Sequence, residues 1–206
     1  MNQPDYIVDE SKVALAEKLA TDVAAMLAAG IRDRGRATIA VSGGSTPLPF
    51  FQALSRKPLD WSSVTVTLAD ERWVDPDHAD SNERLVRQEL LVAEASAATL
   101  LGLYQPIDEP EDALSSLDAQ LRSLLPFDVV ILGMGDDGHT ASLFPGADGL
   151  QDALDLQRDV YCAAMVPGTA KHKRMSLTLK ALVATQHLLV HITGETKRSV
   201  LEYALI

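Results

Sequence analysis

A chain of 206 residues, 47% apolar and 23% charged, has the size and balance of one globular domain. A formal net charge of −11 repels nucleic acid and anionic membranes at long range, so neither is an expected partner. The single cysteine, Cys162, excludes an intramolecular disulfide and reads as a buried, inert thiol, and no Cys/His spacing offers a structural zinc site.

The N-terminus, Met1 to Asp5, lacks a basic stretch followed by an apolar one, so no signal peptide is expected and the cytoplasm is the default compartment. Ser11 to Ala29 reads as an amphipathic helix. Val13, Leu15, Ala16, Leu19, Val23, Met26 and Leu27 form its stripe, Ser11 its cap and Gly30 its stop. Ala37–Val41 is a short apolar run, as expected of a strand buried on both faces. Ser42 to Pro47 follows, then a helix through about Leu54. Val64–Leu68 is the next strand, and Ser81–Val92 a helix capped by Ser81. Thr99–Leu103 reads as a strand and Glu111–Leu125 as a helix. Asp128–Leu132 is the clearest buried strand. Val160–Met165 and His187–Ile192 are further strands, and Gly194–Ala204 is a closing helix.

Strands alternating with helices predict an α/β fold: a doubly wound, mostly parallel, Rossmann-like sheet with helices on both faces. The chain reads as a single domain over residues 1–206. Ligands of such sheets bind beyond the carboxyl ends of the strands, which directs attention to the loops after Val41, Leu68 and Leu132.

The first loop, with Gly43, Gly44, Ser45 and Thr46, places two glycines and two hydroxyls between a strand and a helix. Ser45 or Thr46 can cap the helix and Pro47 suits its first turn. Its free N–H groups suit an anion; an ordinary tight turn has the same composition. No Gly-Lys-Ser/Thr follows, so it is not a Walker loop. The second loop opens with Asp70-Glu71-Arg72-Trp73. Three adjacent charges are costly to bury unpaired. Arg72 can bind phosphate or carboxylate through two donors, and Asp70 can orient a hydroxyl or a base. A surface ion-pair cluster is the plainer alternative, and His78 reads as solvent-exposed. The third loop runs Gly133-Met-Gly-Asp-Asp-Gly-His-Thr-Ala-Ser-Leu-Phe-Pro-Gly146. Gly133, Gly135 and Gly138 match a dinucleotide fingerprint, but acids fill the gap and Pro145 stops any long helix. His139 is the side chain suited to proton transfer near neutral pH, and Asp137 can fix its tautomer. Lys171-His172-Lys173-Arg174 is the densest basic patch, either a solvated run or an anion contact.

Together these blocks, with Arg174-Met-Ser-Leu-Thr178, resemble the 6-phosphogluconolactonase family in the family's order and over most of the chain. The resemblance implies hydrolysis of 6-phospho-D-glucono-1,5-lactone, the second step of the oxidative pentose phosphate pathway, without metal or cofactor. It implies His139 as general base and then acid, with Asp137 as its orienting partner and Asp70 in reserve. It implies Gly43, Gly44, Ser45, Thr46, Arg72 and Arg174, with Lys171 or Lys173 beside it, as substrate ligands, and Asp70 reads as a further one from its loop position. No serine nucleophile is expected, because Ser42, Ser45 and Ser142 lack a Gly-x-Ser-x-Gly setting. A monomer or weak homodimer is expected. Family members commonly carry a further C-terminal segment, so the stop at Ile206 marks a natively short chain or a fragment. A related family, the glucosamine-6-phosphate deaminases, has a similar glycine-histidine loop but continues toward Asn-Glu-Pro. A non-catalytic sugar-phosphate sensor is a third reading, disfavoured by the presence of His139.

Overall fold

The computed structural model describes residues 5–9, 11–168 and 171–205. Residues 1–4, weighed above for a leader, and Ile206 lie outside them. The first helix, α1, spans Lys12–Arg34, and the Ser11 hydroxyl accepts from the Ala14 N–H at 3.3 Å. The helix does not stop at Gly30. It ends at Gly35, which turns left-handed with φ 71° and donates its N–H to the Ile31 carbonyl. Gly30 is instead buried mid-helix, where a Cβ would stand 2.1 Å from Asp128 Oδ1. Asp128 is buried, accepts from the Thr38 N–H at 2.8 Å and pairs with Arg34. The glycine makes room for that carboxylate. Ala16, Ala20, Val23 and Leu27 form the buried face, whereas Val13 is exposed.

The remaining helices are α2 (Leu48–Leu54), α3 (Asn82–Glu89), α4 (Pro110–Arg122), α5 (Leu150–Leu154), α6 (Leu179–Val183) and α7 (Glu195–Ala204). The strands are β1 (Ala37–Val41), β2 (Val64–Leu68), β3 (Asp70–Arg72), β4 (Thr99–Leu101), β5 (Phe127–Leu132), β6 (Cys162–Met165), β7 (Arg174–Leu177) and β8 (Thr185–Val190). Five of them form a parallel sheet in the order β4-β2-β1-β5-β8. Every residue of β1 and β5 is buried, as expected of mostly apolar central strands covered on both faces. Helix α1 packs on β1 and β5, and α2 packs on α1. The edge strand β8 is covered less: most of its residues are exposed, and α7 beyond it buries none of its own. Among the described residues no helix is long and apolar enough to cross a membrane.

The chain winds outward from β1 through β2 to β4, then returns to β5 on the other side. That reversal opens a crevice at the carboxyl ends of β1 and β5.

A second sheet was not anticipated. Strands β3, β7 and β6 pair antiparallel, with Asp70 opposite Ser176 and Arg72 opposite Arg174. Asp70–Arg72, expected in a loop, is therefore a strand. It follows β2 after Ala69 alone, whose N–H bonds to the Val41 carbonyl and whose carbonyl accepts from Leu177, both at 2.8 Å. The small sheet thus hangs on the carboxyl end of the large one. Cys162 lies in β6, where burial, with Asp118 nearby, pushes its thiol up to about 12 and leaves it unreactive.

Candidate active site

A cleft of about 320 Å³ lies at the β1/β5 crevice. Its floor is the first loop, Ser42 to Pro47, and its walls come from β3, the third loop and the start of α7. Ser42 joins two of these parts: its N–H donates to the Ile131 carbonyl and its hydroxyl accepts from the Gly133 N–H, both at 3.1 Å. Gly43, Gly44, Ser45 and Thr46 all line the cleft. Neither hydroxyl caps α2, however. Pro47 occupies the cap position and no side chain bonds the helix N-terminus, so Ser45 and Thr46 keep their hydroxyls for the cleft. Gly43 has a steric reason: a Cβ there would meet Asn82 Oδ1 at 1.9 Å.

The strand geometry of β3 sorts its three charges by alternation. Asp70 and Arg72 face the cleft, whereas Glu71 points the other way and is fully buried. Glu71 accepts from the N–H groups of Arg72 (2.7 Å), Asn82 (2.8 Å) and Glu83 (2.7 Å), and from the Ser81 hydroxyl (3.1 Å). It is an acid set against the positive end of α3. Burial nevertheless pushes its carboxyl above the usual glutamate range, against the pull of those donors. By fixing α3, Glu71 places Asn82, which lines the cleft and donates to the Asp70 carbonyl at 2.8 Å. Asn82 Oδ1 is buried without a partner. Asp70 Oδ2 accepts from the Ser142 hydroxyl at 2.6 Å.

The third loop presents His139 to the cleft. Its Nδ1 stands 2.6 Å from Asp137 Oδ1, the same oxygen that accepts the His139 N–H at 3.2 Å. Burial raises the Asp137 carboxyl, but the hydrogen bonds and charge of His139 outweigh it and hold the group below the usual range. The carboxylate of Asp70, the reserve partner, accepts from Ser142 at 2.6 Å and from Asn82 at 3.5 Å instead. The imidazole stacks on Phe144, with ring centroids 4.0 Å apart. Gly138 turns left-handed at φ 85° to close the loop. Gly135 permits close approach: a Cβ there would lie 2.4 Å from the His139 ring and 2.6 Å from Asp137 Oδ1. Gly135→Ala should therefore displace the ring while leaving the strand before it intact. With His139 as the general base proposed below, a displacement of about 1 Å can cost on the order of 100-fold, so kcat should drop by roughly 10- to 100-fold with the melting temperature little changed. A wild-type kcat would refute this packing argument.

Positive charge gathers on one side. Arg72 and Arg174 are cross-strand neighbours, a like-charge pairing that destabilises a sheet unless something offsets it. Each donates to a main-chain carbonyl, Arg72 to Asp80 at 2.6 Å and Arg174 to His172 at 3.0 Å. Burial, and then the charge of Arg72, pull the Arg174 guanidinium below its ordinary value. An anion in front of the pair would relieve that repulsion. Arg72 lines the cleft directly; Arg174 stands behind it, outside the lining. Lys171 is not brought in: it is exposed and pairs with Asp80 at 3.5 Å, while Lys173 pairs with Glu109. The lysine that lines the cleft is Lys197 of α7, which the sequence reading passed over together with His191. Both follow β8, so the same carboxyl-end rule applied to a fourth loop would have found them. His191 is buried beside Phe50, its Nδ1 has no partner, and burial lowers its pKa, keeping it neutral.

Comparison with known families settles kinship. The family described as glucosamine-6-phosphate isomerases/6-phosphogluconolactonase matches residues 10–206. The chain belongs to this family. Within it, the chain is 48% identical over 191 residues to a 6-phosphogluconolactonase of Pseudomonas aeruginosa, covering 92% of this chain and 80% of that protein. It is 48% identical over 196 residues to one of Rhizobium meliloti, covering 95% and 84%. A crystal structure of a 6-phosphogluconolactonase from Shewanella baltica superposes with a TM-score of 0.88 at 45% identity, covering 96% of this chain and 84% of that one. The mostly parallel sheet with its flanking helices is thus shared with that structure.

Proposed function

We propose that the protein hydrolyses 6-phospho-D-glucono-1,5-lactone to 6-phospho-D-gluconate, with His139 as general base. The observation that carries this reading is the 2.6 Å pairing of His139 with Asp137 in the same cleft as Arg72 and Lys197. Kinship with proteins named 6-phosphogluconolactonase supports the substrate.

In this reading the phosphate dianion lies toward Arg72, with Arg174 behind it and the Gly43–Thr46 backbone below. The lactone ring then reaches His139. Asp137 holds Nδ1–H, which leaves Nε2 as the basic nitrogen. Nε2 takes a proton from water as the water oxygen attacks the lactone carbonyl. The tetrahedral intermediate collapses by breaking the bond to the ring oxygen, which takes the same proton back from the imidazolium. Asp137, held below the ordinary aspartate range beside His139, stabilises that imidazolium. A lactone is a reactive ester, so general-base catalysis with oxyanion stabilisation suffices. No serine nucleophile is needed, and Ser142 and Ser42 are both occupied by structural hydrogen bonds.

Purified protein should accelerate hydrolysis of the lactone at neutral pH in the presence of EDTA, after correction for the spontaneous rate. Release of ammonia from glucosamine 6-phosphate, with no effect on the lactone, would replace this reading with that of a deaminase.

A further inference from the structure

Outside the cleft, one group of side chains among the described residues has the makings of a metal site. His78, Asp80 and His172 each offer a ligand atom, and these atoms lie within 4.8 Å of one another. His172 Nε2 is 3.0 Å from Asp80 Oδ2, and His78 Nδ1 is 3.9 Å from the same oxygen. Two ligands on a tetrahedral zinc ion stand roughly 3.4 Å apart, given metal–ligand bonds of about 2.1 Å. The two observed separations bracket that value. Two imidazoles and a carboxylate form the donor set of an open zinc site, with a fourth position left for water. The Asp80 N–H donates to His78 Nδ1 at 3.0 Å, so this nitrogen is the unprotonated one, and a metal takes its lone pair in place of that hydrogen bond. The His78 and His172 rings meet edge to face, 5.5 Å between centroids, which keeps both near the carboxylate.

We propose that His78, Asp80 and His172 bind a divalent transition metal of the zinc class, and that the metal clamps the two segments that hold Arg72 and Arg174. The ligands come from different parts of the chain: His78 and Asp80 from the connection between β3 and α3, His172 from the approach to β7. The clamp follows from the main chain. The carbonyl of Asp80 holds Arg72, and the carbonyl of His172 holds Arg174. A metal joining the side chains of those two residues fixes both carbonyls, and with them both guanidiniums. The resident cation is Lys171, 3.5 Å from Asp80 Oδ2 and 76% exposed, so it leaves by rotating into water. The clamp, though not the metal site, rests on the reading of the arginine pair as an anion site.

The test uses the full chain, stripped with EDTA and dialysed, and never requires the lactone. Calorimetric titration with zinc chloride should give one site per chain with micromolar dissociation. Cobalt(II) should develop an intense visible band, the mark of tetrahedral nitrogen and oxygen ligands. His78→Ala and His172→Ala should each weaken zinc binding at least 10-fold, whereas Lys171→Ala should preserve or tighten it. Melting curves without metal control for folding. Inorganic phosphate, titrated with and without zinc, should bind several-fold tighter to the zinc form. No saturable zinc binding, or binding indifferent to both histidine substitutions, overturns the site. Binding through the histidines with no change in phosphate affinity overturns the clamp. Absence of lactone hydrolysis would refute the proposed reaction and leave the zinc result standing.

Discussion

His139→Ala should lower the rate of lactone hydrolysis by about 100- to 10,000-fold, the range attributed to a positioned general base. The loss should fall on kcat, because the arginine side of the cleft is untouched. Stability should change little. The imidazole side chain is a quarter exposed, its Nδ1 pairs with the exposed Asp137, and its one stacking neighbour is Phe144. Removing a partly exposed ring of this kind costs on the order of 1 kcal/mol, a shift of a few degrees in melting temperature for a chain of this length. Steady-state kinetics and thermal melts on the same preparation decide the matter. A full rate in the variant would remove His139 from the mechanism.

Glu71→Ala should have the largest effect on stability. The fully buried carboxylate satisfies three main-chain N–H groups and the Ser81 hydroxyl, and alanine satisfies none of them. Each buried donor left unpaired costs about 1–3 kcal/mol, and relief of the buried charge returns part of the sum. A net loss of roughly 3–5 kcal/mol is expected by urea denaturation. Asn82 should shift with α3, so activity should fall as well. Glu71→Gln keeps an acceptor and should cost less. The pH dependence has a definite sign. Because burial raises the folded pKa above the ordinary glutamate value of 4.5, the native state holds this proton longer than the unfolded chain. The contribution of Glu71 to stability therefore declines as pH rises from about 4.5 through its folded pKa, and Glu71→Gln should flatten that decline. Wild-type stability in Glu71→Ala would show that the start of α3 needs no acid.

Glu71 also illustrates how far the sequence could be read. Asp70-Glu71-Arg72 announced itself by charge density, and the position after a strand marked it as functional. Its division of labour was hidden. A strand three residues long, with a charge at every position, carries no alternation of apolar and polar residues, so nothing in the sequence signals β3. In β7 the residues Arg174-Met175-Ser176-Leu177 do alternate polar and apolar, but a run of four is too short to stand out until β3 and β6 flank it. Pairing made the strand, and the strand then turned Asp70 and Arg72 toward the cleft and Glu71 away from it. Gly30 misled for a related reason. A glycine after an amphipathic stretch looks like a helix stop, whereas here it clears space for a carboxylate 98 positions later.

The sequence by itself pointed to the α/β architecture, because short, mostly apolar runs such as Ala37–Val41 and Asp128–Leu132, alternating with helical stretches, fit central strands covered on both faces. It also determined the glycine-rich turns at the ends of those strands, but it left the partner of His139 between Asp137 and Asp70, and only the folded loop puts Asp137 at 2.6 Å. The tertiary structure alone decided which charges meet. Arg72 and Arg174 face each other across 102 positions, Lys197 enters the cleft while Lys171 turns to Asp80, and His78 joins His172. Local spacing fixes backbone conformation within a turn or a strand, but the electrostatic environment of a side chain depends on groups within a few ångströms in space, whatever their distance along the chain.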